Sequence, residues 1–484
     1  MSDSTADLSM SREALIAIIA KFALAATGFL GVVIFSRVLG VNGVGRYYTL
    51  LAAANLVAQI SSGVNGAIKK RVSEVETPVS EYFGLGVVFN SAFVAVLAVL
   101  LVLTYPLLQS YVGPFAFGIG FIGVVASLSY FALVNRVYAG IGNTGASFWT
   151  DTLRSLLTLA AQVVLLWLGW HVLGLLIGFV AATAATAVVV YLLLRLRPAI
   201  PSRETVSRTY EFARWNVPNG LLQNMYSRLD VLLLYAIVGS SAVGLYEPAL
   251  RLTIPATFIS ASIGDSLVVK ASGLHSIDRD VVDDLKNAVS YTCLLSIPIF
   301  FGVVAMPAEL MTVVYGPDFA AGAAALVGLA AFQLFNTLRQ PFAMVINGID
   351  RPDLQFRVKF LVLVIHAPLA VGLGLEYGLL GVIAATVATE IVRVCLYLYA
   401  ARKLFEEIVL TWQLGKQLLS GVVMFVVVAW LVDAVGVTGW VSLIGVVGVG
   451  AAVYFAALGI ISAHFRSTLG HAFTNAVPEE RQFW

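Results

Sequence analysis

Fourteen runs of mostly apolar residues, each about 20 long, follow one another along the chain with charge, Gly or Pro between them. They lie near 14–38, 46–66, 83–109, 115–138, 148–169 and 172–194, then near 216–238, 245–268, 287–306, 320–342, 357–375 and 379–401, and finally near 412–432 and 438–462. A run of that length matches the hydrocarbon thickness of a bilayer. Only helices and closed barrels satisfy every backbone polar group in lipid, and runs such as VLLLYAIV lack the alternation of a barrel strand. Composition agrees, with 60% of residues hydrophobic and 12% charged, where a soluble domain carries about 25% charged. The expected fold class is an all-α polytopic membrane protein of about 14 transmembrane helices.

Charge between the runs sets an expected orientation. With the N-terminus inside, 22 Lys and Arg residues fall on the inner side, and only Arg37 and Arg46 on the outer. Both termini are therefore expected in the cytoplasm. Outer connections such as QSYVGP and LGWHV are too short to house a catalytic domain. The first run is too long for the apolar core of a cleavable leader. The two cysteines, Cys293 and Cys395, sit in separate apolar runs and form no metal-ligand spacing, so no metal site or cofactor is expected. Nothing in the charge pattern addresses nucleic acid. The longest basic connection, RPAIPSRETVSRTYEFARWNVP, interleaves Arg with Tyr210, Phe212 and Trp215, as an interfacial helix or a solvated linker would.

A repeat runs through this pattern. LGVNGVGRYYTL, with Gly40, Gly45 and Tyr47, returns as VGSSAVGLYEPAL, with Gly239, Gly244 and Tyr246, at an offset of 199 residues. YVGPFA, with Gly113 and Pro114, returns as VYGPDFA, with Gly316 and Pro317; AGIGNTGA aligns with NGIDRPDL, and GLL recurs at 174–176 and 378–380. These matches keep one order at nearly one offset, which predicts two homologous six-helix lobes, 1–200 and 201–403, and a further segment, 404–484, with two more helices. An even number of spans per lobe makes the repeats parallel, and transporters of that kind bind substrate between the halves.

The run R-x-D-V followed by Gly239, Val243, Gly244, Tyr246, Ala249 and Arg251 resembles the polysaccharide flippase (Wzx-type) families. FSRVLGVNGVGRYY, VVYGPDFAAGAAAL, NGIDRPDLQFRVKF and EYGLLGVIAATVATEIV match the same pattern in order, over nearly the whole chain. Those families belong to a superfamily that also holds multidrug and toxin extrusion antiporters and lipid II flippases. The resemblance implies export of a polyprenyl-phosphate- or diphosphate-linked saccharide from inner to outer leaflet, with the lipid tail riding beside the last two helices. It also implies glycan polymerases or glycosyltransferases as partners, and a prokaryotic plasma membrane as the location.

Such a headgroup needs cationic partners, because an unpaired charge in a dry bilayer costs several kcal/mol or more. The basic residues inside the runs are Lys21, Arg154, Arg228, Arg251 and Arg393, with Arg46 at an outer boundary; these six are the candidate substrate-binding residues. Arg154 follows Asp151 by three, Arg393 follows Glu390 by three and Arg251 follows Glu247 by four, so local pairing absorbs those three. Lys21 can snorkel to the inner surface. Arg228 has no acid at i±3 or i±4, which leaves a cavity-lining role or an interhelical pair, for which Glu390 is a partner. Relatives in the superfamily bind Na⁺ or H⁺ with an acid at the place of Asp230 and polar groups from the eleventh and twelfth helices. Asp230, Thr386 and Glu390 are the corresponding ion-binding candidates, and His366 reads as a satisfied interior histidine. The competing functional reading is a cation-coupled multidrug or organic-cation antiporter. A membrane glycosyltransferase would need an acid pair on a sizeable loop, which the sequence lacks.

Overall fold

The computed structural model describes residues 10–112, 114–277, 279–407 and 410–467, with side chains from 25 onward except 107–113. Lys21 and Gly113 therefore lie outside the residues whose side chains are described. Among the described residues there are fifteen α-helices, two short 3-10 turns and no strand. Ten helices are long and apolar enough to cross a membrane. Two of these are each two spans joined at a glycine, and α4 and α6 fall short only because polar side chains interrupt them. With those counted, the fourteen expected spans are all present as helix.

The chain packs as two compact units, Met1–Gly244 and Leu245–Trp484. Unit 1 holds α1 (Met10–Val72), α2 (Val79–Val112), α3 (Phe115–Gly140), α4 (Thr144–Trp167), α5 (His171–Leu194), α6 (Arg203–Ile237) and the start of α7 (Ser240–Thr253). The division falls one span beyond the repeat boundary at 200/201, because α6 packs along α1. Ile68, Tyr82, Phe131, Leu133 and Val190 form the apolar core where α1, α2, α3 and α5 meet. Between the runs 14–38 and 46–66, α1 breaks at a single residue, Gly40, whose φ of 65° suits a residue without Cβ. Its repeat counterpart Gly239, at φ 105°, turns α6 into α7.

The equivalent glycines one turn later touch. A Cβ on Gly45 would lie 1.7 Å from the Ser240 carbonyl oxygen, and one on Gly244 would lie 1.9 Å from that of Val41. Beneath this contact, buried Gln162 donates to the Tyr47 hydroxyl at 2.7 Å and to the Leu175 carbonyl at 2.8 Å. Gln162→Leu removes both of these hydrogen bonds and is expected to cost roughly 1–3 kcal/mol, read as a lower unfolding midpoint, with Tyr47→Phe costing less.

Unit 2 holds the rest of α7, α8 (Phe258–His275), α9 (Val282–Thr292), α10 (Ser296–Ala305), α11 (Pro307–Tyr315), α12 (Ala323–Gly348), α13 (Pro352–Phe405), α14 (Trp412–Val435) and α15 (Trp440–Ile461). The expected span 245–268 is broken into α7 and α8 by a 3-10 turn at Ile254–Thr257, which contains Pro255. The span 287–306 is broken into α9 and α10 at Cys293–Leu295, because Pro298 cannot donate to the carbonyl at 294 and its ring crowds it. Side chains of α12 and its neighbours cover this break. Thr292 donates to the Thr337 carbonyl at 2.9 Å, and the Thr337 hydroxyl meets Ser296 at 2.8 Å. α13 turns at Gly378, φ 59°, within the repeat of GLL.

The basic connection at 197–218 is continuous with a span. Ser202 caps α6 by accepting from the Thr205 amide at 3.2 Å, and the aromatic–Arg stretch forms the first turns of α6. Arg208 pairs with Glu74 at 2.6 Å and Lys70 lies 4.4 Å from the Phe212 ring centre, while Tyr210 and Trp215 stay exposed.

Candidate functional site

Charge inside the spans collects at different places in the two units. In unit 2, α12 carries Arg339 and the second half of α13 carries Glu390 and Arg393, three residues apart and hence on one face. Glu390 is wholly buried, and its two oxygens accept from different guanidiniums: Arg339 Nε at 2.7 Å and Arg393 Nη1 at 3.2 Å. Arg339 also donates to Asn336 Oδ1 at 2.7 Å and lies 5.9 Å from the Tyr397 ring centre. Half-buried Lys359, on the first half of α13, lies within electrostatic range of both arginines. Two guanidiniums thus share one buried carboxylate, and that trio carries net positive charge.

Arg339 was missed by sequence reasoning, which counted it with the inner-side basic residues near the end of the run 320–342. The run continues through FAMVING, so α12 extends to Gly348 and Arg339 lies about six residues inside its last turn and is buried. The signal was there in that apolar continuation.

Glu390 shares its helix face with Thr386 and Thr389, whose hydroxyls donate to the carbonyls of Val382 and Ala385 at 2.9 and 2.7 Å. With the Thr389 proton so committed, buried His366 donates from Nδ1 to the Thr389 oxygen at 3.0 Å. Arg251 reaches the buried Glu247 at 3.6 Å along α7.

In unit 1, Arg154 places Nε and Nη2 on one oxygen of Asp151 at 3.0 and 2.9 Å, and its guanidinium lies 5.1 Å from the Phe131 ring centre. Local pairing therefore holds it. Arg46 is exposed on α1 just past the Gly40 break. On α6, Arg228 is half-buried and Asp230 is buried, two residues apart on different faces of the helix. Of the ion-binding candidates, Asp230 belongs to unit 1 and Thr386 and Glu390 to unit 2. Among the described residues no group of three or more His, Cys, Asp or Glu gathers as a metal site would require.

The helix breaks at Pro255 and Cys293–Leu295 also open a cavity of about 290 Å³ in unit 2. Its lining is apolar and includes Pro255, Pro298, Met306, Met424, Val428 and Phe455, so that α14 and α15 form one wall.

The chain matches the sequence profile of the polysaccharide biosynthesis protein family over residues 34–324. It is 22% identical over 442 residues to the probable low-salt glycan biosynthesis flippase Agl15 of Haloferax volcanii, across 90% of this chain and 93% of that one. It is 25% identical over 451 residues to the probable flippase AglR of the same organism, across 90% and 94%. In fold it is similar to the lipid II flippase MurJ in an inward closed conformation, with a TM-score of 0.77 at 16% identity over 94% of this chain and 100% of that. A multidrug resistance MATE transporter in an inward-facing conformation follows at 0.62 and 13% identity, over 81% and 99%. With a bundle of apolar helices and a profile match over residues 34–324, the chain belongs to the polysaccharide biosynthesis protein family.

Proposed function

We propose that the protein carries a saccharide linked to polyprenyl phosphate or diphosphate from the inner to the outer leaflet of a prokaryotic plasma membrane, for assembly of surface polysaccharide or glycoprotein. In this reading both termini are cytoplasmic. The halves 1–200 and 201–403 open alternately to either side, and 404–484 adds the last two spans. Glycan polymerases or glycosyltransferases are the neighbours that make or consume such a lipid. The observation that carries the reading is the sign of the buried cluster: the guanidiniums of Arg339 and Arg393 on the one carboxylate of Glu390. A phosphate stripped of water is stabilised by guanidinium donors, whereas an organic cation is repelled by them. The apolar cavity beside α14 and α15 supports a place for the prenyl tail.

The test is flipping in proteoliposomes loaded with a polyprenyl-phosphate hexose, timed by the appearance of its headgroup outside, with and without a Na⁺ or H⁺ gradient. Wild-type protein is expected to flip it. Arg228→Ala is expected to slow the rate about 10- to 100-fold, the worth of one charge-assisted hydrogen bond. A wild-type protein that flips no lipid-linked sugar but takes up an organic cation against either gradient would make it an antiporter instead.

A further inference from the structure

α6 spans the membrane region without being apolar. From Asn216 to Asp230 it reads NVPNGLLQNMYSRLD, and Asn219, Gln223 and Ser227 are exposed, with Tyr226 half-exposed beside them. At 100° per residue, positions 219, 223, 226 and 227 fall within an arc of about 100°. The stripe is about 12 Å long at 1.5 Å per residue. One flank of it is closed by α1. There Gly63 and Gly66 let Val217 and Asn216 approach, Asn216 donates to the Gly63 carbonyl at 2.8 Å, and Gln59 lies over Gly220. Asn224 and Ser227 donate backwards to the carbonyls of Gly220 and Asn224 at 3.3 and 3.0 Å, which fixes their side chains on the helix.

Amides and a hydroxyl within a span are costly against hydrocarbon, so such a face is suited to an aqueous path rather than to lipid. A primary amide sets an NH2 donor beside a carbonyl acceptor in one plane, which matches two neighbouring sugar hydroxyls. The Tyr226 ring offers its electron-rich face to the C–H face of a pyranose. Buried Asp230 falls in the same angular sector one turn further on, and its acid disfavours an anionic sugar at that end. Arg228 lies about 180° round the helix from Asn219, so the cation and the amides are separate elements.

We infer that the face of α6 formed by Asn219, Gln223, Tyr226 and Ser227 reads the hydroxyl groups of a neutral saccharide headgroup and is the specificity-determining wall of the transporter. This rests on the flippase reading above. Phosphate binding belongs to the cationic residues, and the wall adds the sugar.

The test uses full-length protein in proteoliposomes with a polyprenyl-phosphate hexose, and bare polyprenyl phosphate as competitor. Asn219→Leu with Gln223→Leu is expected to slow flipping of the sugar lipid about 10- to 100-fold, two lost hydrogen-bonding partners. Inhibition by bare polyprenyl phosphate should stay within about twofold of wild type. The single variants Asn219→Ala and Gln223→Ala, each expected to slow flipping about fivefold, serve if the pair does not fold. An unchanged flipping rate overturns the inference. So does a parallel loss of sensitivity to the bare lipid, which marks a structural role. Wild-type protein that moves no sugar lipid sinks the flippase reading itself, an outcome distinct from either of these.

Discussion

Glu390→Gln is expected to destabilise the protein by about 3–5 kcal/mol, because it leaves the Arg339 and Arg393 guanidiniums buried without their counter-charge. Arg339→Gln should cost less, since Glu390 keeps Arg393 at 3.2 Å. Burying an ion pair is itself close to neutral, as desolvation offsets most of the Coulombic gain. Replacing all three together, Arg339→Met, Glu390→Leu and Arg393→Met, should therefore restore wild-type stability or exceed it. Chemical unfolding in detergent measures the series, and the non-additivity of the singles gives the coupling. The same triple variant should still fold yet fail to flip a phosphate-bearing lipid, because the cluster's net positive charge has gone. If Glu390→Gln unfolds with the wild type, the three residues do not act as one buried group. If the triple variant flips normally, the cluster is scaffold and the phosphate is held elsewhere.

Much of the fold was open to reading because lipid imposes a simple rule: each span must satisfy its own backbone and hide little charge. Fourteen runs therefore became fourteen helical stretches, and glycines at matching places in two runs became matching turns at Gly40 and Gly239. Helix breaks inside a run were harder. Pro255 and Pro298 were visible, but prolines often sit inside a helix without breaking it, as Pro218, Pro248, Pro341 and Pro368 do here. What distinguishes Pro298 is that Thr292 and Ser296 find partners on α12, a tertiary fact no local pattern carries. Local ion pairs were legible from i, i+3 spacing, as with Asp151 and Arg154. The Arg339–Glu390 pair was not, since 51 residues separate its members and only the packing of α12 on α13 brings them together. The polar face of α6 is legible as a shortfall of hydropathy from Asn216 to Asp230, although uncharged amides signal far less strongly than the Arg228 and Asp230 charges among them.

Gly45→Ala and Gly244→Ala should each be more damaging than any loss of a single hydrogen bond. In isolation alanine is the better helix residue by about 1 kcal/mol, so helix propensity alone argues for a gain. Contact geometry decides the other way. The new Cβ at 45 would sit 1.7 Å from the Ser240 oxygen and 2.7 Å from its carbonyl carbon; at 244 the corresponding distances to Val41 are 1.9 and 2.7 Å. Both obstacles are backbone, so no rotamer change relieves them and the helices must separate. Overpacking that side chains can absorb costs about 1–3 kcal/mol, and backbone against backbone should exceed that range or prevent folding. Gly445→Ala, on α15 with nothing within 4 Å of its would-be Cβ, is the control and should be neutral or slightly stabilising. Thermal unfolding in detergent ranks the three. Equal midpoints for all of them would mean that α1 and the start of α7 do not meet at these glycines. A steep fall at 45 and 244 alone ties the repeated Gly-x-Tyr motif to a physical cause: each copy lacks a Cβ because the backbone beside the other copy occupies that space.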